Sequence, residues 1–475
     1  LNVQQIAYET VNQIVETFEQ AKTFGSLIQI SDKLASALPD LRRELDAVRE
    51  SGDMLGRDAA ETLLRLVVQA EVLAMQFDAV VANPPYMGNK YLNPNLKAHL
   101  KAEYKGYEKD LFSAFMIRDL ALTKPAGQLG FMSPFVWMFI SSYEELRRHF
   151  IELNTLTTLV QLEYSGFAEA TVPICTFTLS KAHIDNFTGS YVRLSDFRGS
   201  EKQGPKTLEA IRDPECGWFY TAKPDEFKKI PGSPVAYWVL PKVLDIFASR
   251  QLMGEFAAVK RGMTTSDNAR FLRFWPEVSF DKASIDSESH EAATRSQAKW
   301  FPYSKGGGYR KWYGYMEYFV NWENEGREVI DFAKTINSSY TRTIVNVSYF
   351  FQPSVGFPYI TSGKFSMRAI PPGCIYDSGG PGVFTDQDKR LFLLACMNSK
   401  VADMLLKVLS PTLNLQIADV VRLPLPDSTE LLSSQELNRT VNRLVTIAKE
   451  DWDSFETSWH FQRHPILTVQ AETLC

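Results

Sequence analysis

Residues 77–90, FDAVVANPPYMGNK, restrict the fold more than any other stretch: a short apolar run stops at two consecutive prolines. DAVVA reads as a strand buried on both faces, as in parallel sheets. Pro84 and Pro85 fix φ and remove two N–H donors, and Pro85 keeps Pro84 out of the helical region. The product is a stiff, extended turn whose carbonyls can face a ligand. In open α/β sheets, ligands sit at the carboxyl ends of strands, which is where this turn falls. The plain alternative is a turn that only ends a strand.

The surrounding periodicity predicts the organisation. Residues 1–75 read as helices: VNQIVETFEQAKTF puts Val11, Ile14, Val15 and Phe18 on one face, and a second helix is expected to start at Asp58. From Phe77, strands alternate with helices. KDLFSAFMIRDLALT reads as an amphipathic helix and GQLGFMSP as a strand. SSYEELRRHFIEL reads as a helix opened by a Ser141/Glu144 capping box, and LTTLVQLE and VPICTFTLSK as strands. This alternation predicts an open, doubly wound α/β sheet over 76–185. Residues 186–245 read as a connecting segment. Residues 246–430, rich in aromatics, Gly and Pro, read as a separate α+β domain. Strands are expected at YMEYFVNW and RTIVNVSYFF, and an exposed loop at DKASIDSESHEAATR. Residues 431–475 return to helix.

Composition narrows the classes. With 475 residues and 45% hydrophobic content, the chain can bury more than one core. A net charge of −5 excludes a uniformly basic nucleic-acid coat but not a local basic cleft. The five cysteines show no CxxC spacing and read as reduced cytosolic thiols. The six histidines show no carboxylate or cysteine partner in sequence, so no metal site is expected. No apolar run reaches the ~18 residues of a membrane helix. PDEFKK (224–229) reads as a solvated helix start rather than a nuclease motif.

At the turn itself, the Asn83 side-chain oxygen and the Pro84 carbonyl form a rigid pair of acceptors beside the flat ring of Tyr86. That set suits a planar heterocycle with an exocyclic amine. Two acceptors can take both N–H bonds, draw the nitrogen lone pair out of conjugation and make it a better nucleophile. A base in duplex DNA must be flipped out to reach such a pocket, and stacking offsets part of that cost.

Asn83-Pro84-Pro85-Tyr86 after a hydrophobic strand resembles the catalytic motif of amino-methylating DNA methyltransferases, adenine subset. Asp110-Leu111-Phe112 is similar to their helix-opening motif, GQLGFMSP to their Gly-containing strand ending in Pro, and Phe167, Ala170 and Val172 to their Phe-x-x-Ala-x-Val series. Further segments resemble the target-recognition part of the BREX phage-defence adenine methyltransferases (the PglX family) and, less closely, type IIG restriction–modification enzymes. These include KRGMTTSDNARFLRFW, KGGGYRKWYGYMEYFVNWENEG, ITSGKFSMRAIPPG and SKVADMLLKVLSPTLNLQIADVVRLPLP.

The resemblance implies a partial Rossmann-like methyltransferase sheet followed by an α+β target-recognition domain. It implies a site-specific, adenine-specific DNA methyltransferase using S-adenosylmethionine, located in the cytoplasm. It gives catalytic roles to Asn83, Pro84, Pro85 and Tyr86, base stacking to Tyr86 and Phe167, and cofactor contacts to Asn83, Asp110 and Phe112. The implied partners are double-stranded DNA and other defence-system proteins. The family's Gly-rich cofactor loop is not found. FGSLIQI and DSGGPG read as plain turns, and the family's motif order places the loop before Leu1, so an incomplete chain is expected. The alternative reading is a catalytically incomplete DNA-binding or specificity module.

For DNA contact, Arg261, Arg270 and Arg273 flank the polar turn MTTSDN with Thr264 and Thr265. Lys299, Lys305, Arg310 and Lys311 interleave with aromatics around Gly306–Gly308. Basic, aromatic and glycine residues together fit a phosphate-contacting loop, although a surface turn has the same composition. Gln416 and Asn414 carry the amides that read an adenine edge.

Overall fold

A computed structural model of the chain describes residues 3–51, 53–164, 166, 172–360, 364–410 and 415–468. It divides into two compact units, Leu1–Val239 and Leu240–Cys475.

The first unit opens with three long helices, α1 (Val3–Phe18), α2 (Asp32–Ser51) and α3 (Met54–Ala74), packed through Ile14, Leu38, Leu41, Leu64 and Val67. α3 starts earlier than the expected Asp58, because the Asp53 carboxylate accepts the Gly56 N–H at 2.7 Å and caps it. The next long apolar helix, α4 (Leu111–Leu122), is buried on nearly all sides rather than amphipathic. Phe112, Met116 and Leu120 join the core of the sheet, whereas Leu111 and Ala114 join a second cluster with Leu27 and Leu100. Arg118 ties α4 to the N-terminal helices, its Nε and Nη2 donating to the Ser26 and Leu73 carbonyls at 2.9 Å each.

The sheet has six strands in the order β1-β2-β4-β3-β5-β6: β1 (Phe77–Ala82), β2 (Thr123–Pro134), β3 (Thr155–Gln161), β4 (Ile174–Ser180), β5 (Gly189–Arg193) and β6 (Phe219–Ala222). β1 runs parallel to β2 and β3 parallel to β5, while β4 is antiparallel to both β2 and β3. Hence β1, β2, β3 and β5 all point one way, and their carboxyl ends Ala82, Pro134, Gln161 and Arg193 share one rim.

Two expectations change here. Ser141–Tyr143 forms a 3-10 turn, and α5 (Glu144–Leu153) starts after it, at Glu144 rather than at Ser141. Residues 186–245 are not a mere connector: β5, α6 (Ser200–Arg212) and β6 extend the sheet. The short length of β5 and β6 hid them in the sequence.

The second unit holds two four-stranded sheets, in the orders β13-β9-β10-β8 and β12-β11-β14-β7. Their strands are β7 (Ala258–Lys260), β8 (Leu272–Phe274), β9 (Trp300–Ser304), β10 (Tyr318–Asn321), β11 (Ser354–Gly356), β12 (Arg368–Ile370), β13 (Ile375–Tyr376) and β14 (Gly382–Phe384). RTIVNVSYFF, expected as a strand, makes two 3-10 turns, Tyr340–Arg342 and Val347–Tyr349, with Asn346 and Phe351 in the left-handed region. DKASIDSESHEAATR is no exposed loop. It carries a 3-10 turn at Phe280–Lys282, a buried Ser284–Ser287 hydroxyl pair and a helix, α7 (His290–Ser296), capped by Ser289. The C-terminal helix α8 (Gln435–Asp453) forms as expected.

Candidate active site and nucleic-acid interface

β1 is a terminal strand of the sheet, paired to β2 with Val80 opposite Leu129 and Ala82 opposite Phe131. Val80 and Ala82 pack on the core, while Val81 points outward and is 83% exposed, so this end strand is covered on one face and not on both as expected. The chain then enters the double-proline turn at the carboxyl rim. Asn83 and Pro85 are exposed, Pro84 is buried and Tyr86 is half-buried against the sheet core. The Tyr86 hydroxyl donates to Asn83 Oδ1 at 2.8 Å. Burial, and then the nearby Cys175 thiol, raise the Tyr86 pKa, so the phenol stays protonated as a donor. The Pro84 carbonyl accepts no hydrogen bond among the described residues.

Asp110 holds this turn in place. It is the cap of α4, accepting from the Phe112 N–H at 3.3 Å, and its same oxygen accepts from the Met87 N–H at 3.0 Å. The Leu111 N–H returns to the Met87 carbonyl at 3.0 Å, and Asn89 N–H to the Lys109 carbonyl at 3.2 Å. The two motifs that lie more than twenty residues apart in sequence are therefore one short antiparallel clasp. Burial raises the Asp110 pKa, and the Phe112 and Met87 amides act against that rise.

Toward S-adenosylmethionine the described residues fit poorly. The Asp110 carboxylate is engaged in the clasp and Phe112 is 1% exposed inside the core, so neither side chain lies open to a nucleoside. What the described residues show at the turn is the Tyr86 hydroxyl bonded to Asn83 Oδ1 and a Pro84 carbonyl that accepts no hydrogen bond among them. Phe167 and Ala170 lie outside the described residues, and Val172 is exposed.

In the second unit several of the expected DNA contacts meet. The Ser378 N–H donates to the Met263 carbonyl, and Thr264 Oγ1 donates to Ser378 Oγ at 2.9 Å. Gly306 packs so closely on Gly379 that a Cβ would lie 2.3 Å from its carbonyl oxygen. RGMTT, KGGG and DSGG are thus one loop junction, with Arg261 and Lys305 on it. Tyr359 links the Gly379 carbonyl to Leu415, the neighbour of Gln416, through two backbone bonds. Asn414 lies outside the described residues.

Other members of the set are otherwise engaged. Thr265 is buried and bonded to Asn268. Arg270 pairs with Glu328 at 2.8 Å. Arg310 gives Nε to the Tyr313 carbonyl and Nη2 to Asp451 on α8, and Lys311 donates to the Asn398 carbonyl. The donors of Arg310 and Lys311 therefore hold the loop rather than facing outward.

Sequence reading missed Arg368. It is 2% exposed, donates Nη2 to the Gly306 carbonyl at 2.8 Å and stacks on Tyr315 at 4.8 Å. Burial lowers its pKa to about 10. It props a loop in which Gly306, Gly307, Trp312, Gly314 and Tyr315 all adopt positive φ, a strained backbone for two aromatics. Nothing in a sequence links two residues 62 positions apart.

The expected lack of histidine partners is also corrected. His183 Nε2 lies 3.0 Å from Asp185 and 3.6 Å from Asp225. Lys228 Nζ, 2.8 Å from the same Asp225 oxygen, already supplies the cation there.

Residues 11–167 match the family described as Eco57I restriction-modification methylase. Over 98% of its length the chain is 33% identical to the adenine-specific methyltransferase BrxX of Escherichia coli O9:H4 (strain HS), covering 37% of that protein. Over 97% it is 33% identical to the adenine-specific methyltransferase PglX of Lacticaseibacillus casei (strain Zhang), covering 38%. A nuclease-deletion mutant of the type ISP restriction-modification enzyme LlaGI, solved with a DNA substrate mimic, is 12% identical with a TM-score of 0.49. That match covers 86% of this chain and 37% of LlaGI and is too remote to bear on function. The matched segment and the mixed α/β sheet are those of a restriction-modification type methylase. Within that class, the chain is similar over nearly its whole length to the adenine-specific methyltransferases BrxX and PglX, of whose length it spans less than two fifths.

Proposed function

We propose that this chain supplies the base pocket and the target-recognition region of a site-specific DNA adenine methyltransferase in a phage-defence or restriction–modification system. One observation supports the reading: in the double-proline turn that follows β1 the Tyr86 hydroxyl donates to Asn83 Oδ1 at 2.8 Å, and the next carbonyl, that of Pro84, accepts no hydrogen bond among the described residues. An adenine amine donates both hydrogens to these oxygens, and the Tyr86 hydroxyl gives up its bond to Asn83 as the base arrives. The phenol ring then covers one face of the base, and Phe167 covers the other. S-adenosylmethionine is the methyl donor that the family implies.

On the DNA side, Arg261, Thr264 and Lys305 contact the duplex from the loop junction, and Arg270 joins them when it leaves Glu328. Gln416 reads a base edge from the adjoining segment. Other defence-system proteins are partners, and the setting is cytoplasmic; among the described residues no helix is long and apolar enough to cross a membrane.

The second reading, a DNA-binding or specificity module without chemistry, is favoured by the engaged Asp110 and buried Phe112. The test is mass spectrometry of nucleosides from DNA incubated with the full natural-length protein and S-adenosylmethionine. N6-methyldeoxyadenosine supports the proposal. DNA that is bound but never methylated supports the module, and methylated cytosine alone would refute an adenine pocket.

A further inference from the structure

The rim that carries Asn83 continues across the sheet. In strand order it presents Asn83 after β1, Phe135 after β2, Tyr164 after β3 and Arg193 at the end of β5. Phe135 and Tyr164 meet edge to face at 5.7 Å, and Tyr164 is 51% exposed. At the far end the Arg193 guanidinium lies over the Trp238 ring, 4.6 Å from its centroid. Arg193 Nε donates to Ser195 Oγ at 3.1 Å, which fixes the plane of the group.

The platform under it is rigid. Trp238 packs edge-on to Tyr237 at 5.1 Å and against Phe139 at 5.7 Å, and the Tyr237 hydroxyl donates to Gln161 at 2.8 Å. Three other arginines of this unit show the contrast. Arg118 and Arg147 are buried on backbone carbonyls, and Arg148 pairs with Glu152. Arg193 has no carboxylate partner among the described residues, and its terminal amino groups carry no hydrogen bond there. A flat, always-charged fork held on an aromatic ring with its outer donors unspent suits a phosphate diester.

We propose that Arg193, laid on Trp238, is a backbone-phosphate contact for the DNA whose adenine enters at Asn83. This rests on the reading of the Asn83 clamp given above. β5 lies four strand steps from β1, roughly 19 Å at ~4.8 Å per step. Phosphates recur about every 3.4 Å along the axis on each strand, so Arg193 meets the backbone some five to six nucleotides from the flipped base. The contact positions the duplex along the rim and carries no base information.

The experiment is fluorescence anisotropy of the full natural-length protein on a labelled duplex over a salt series, without S-adenosylmethionine. Arg193→Gln should weaken binding at low salt and lower the slope of log K against log[salt] by about 0.9, the value of one phosphate. Its melting temperature should match wild type, and Arg193→Lys should restore most of the slope. An Arg193→Gln slope equal to wild type overturns the contact while leaving the Asn83 reading intact. Wild-type protein whose binding ignores salt, or that binds no DNA, overturns both.

Discussion

The clasp between Asp110 and the double-proline turn gives a prediction with a calculable size. One Asp110 oxygen accepts both the Phe112 and Met87 N–H groups, so Asp110→Ala removes a helix cap and unties the loop behind Tyr86 in a single step. Loss of the cap costs about 1 kcal/mol. Loss of a charged acceptor for the Met87 amide adds about 1.5 kcal/mol, the low end for such bonds, because burial already disfavours the ionised carboxyl. The sum is roughly 2–3 kcal/mol, and for a unit of this size each kcal/mol moves Tm by about 2–4 °C. Asp110→Asn keeps an oxygen in the same place and caps nearly as well, so its cost should stay below about 1 kcal/mol. Urea unfolding of the two variants, with unchanged m-values, reads the difference. An Asp110→Ala protein as stable as wild type, or an Asp110→Asn protein as damaged as Asp110→Ala, refutes the clasp.

Three further outcomes follow from buried polar groups. Burial raises the Asp119 pKa from 3.8 to about 6, with Arg118 opposing, and its Oδ2 has no hydrogen-bond partner among the described residues. The folded state therefore holds the proton more tightly than the unfolded one. Stability from this group is full below pH ~4 and falls by roughly 3 kcal/mol as pH rises to ~6. Asp119→Asn should flatten that part of the stability–pH curve, and a curve identical to wild type would contradict the burial argument. Arg147, fully buried, donates to the carbonyls of Gly232, Trp137 and Ile140. Arg147→Met should cost about 3–5 kcal/mol in chemical denaturation, because those oxygens lose a charged donor. Tyr86→Phe keeps the stacking ring but removes the hydroxyl from Asn83, so single-turnover methylation should show tighter or equal DNA binding rather than a binding loss. A large rise in KM would mean that the hydroxyl itself holds substrate.

The strand ending in the double-proline turn was legible because apolar run, proline pair and helix cap are all local signals. The N-terminal helices and the strands through β4 were legible for the same reason. β5 and β6 were not, since five- and four-residue strands carry too little pattern to show that they extend a sheet. α4 was read as amphipathic because its polar residues Arg118 and Asp119 look solvent-facing in sequence. Both are buried, Arg118 on two distant carbonyls. The basic loop at 305–311 was found from composition, but composition cannot say that Arg310 and Lys311 turn inward to Asp451 and Asn398. Arg368 and Arg193 escaped notice because their meaning comes from Tyr315 and Trp238, residues far along the chain.

The measurement that tests the central claim most directly is transfer of labelled methyl from S-adenosylmethionine to adenine in DNA by the full natural-length protein, wild type against Asn83→Ala. The account predicts that Asn83→Ala folds, binds DNA with the wild-type salt dependence and loses at least about 100-fold in rate, the scale set by removing one preorganised polar group at a reacting centre. An Asn83→Ala enzyme that methylates adenine at the wild-type rate would contradict it.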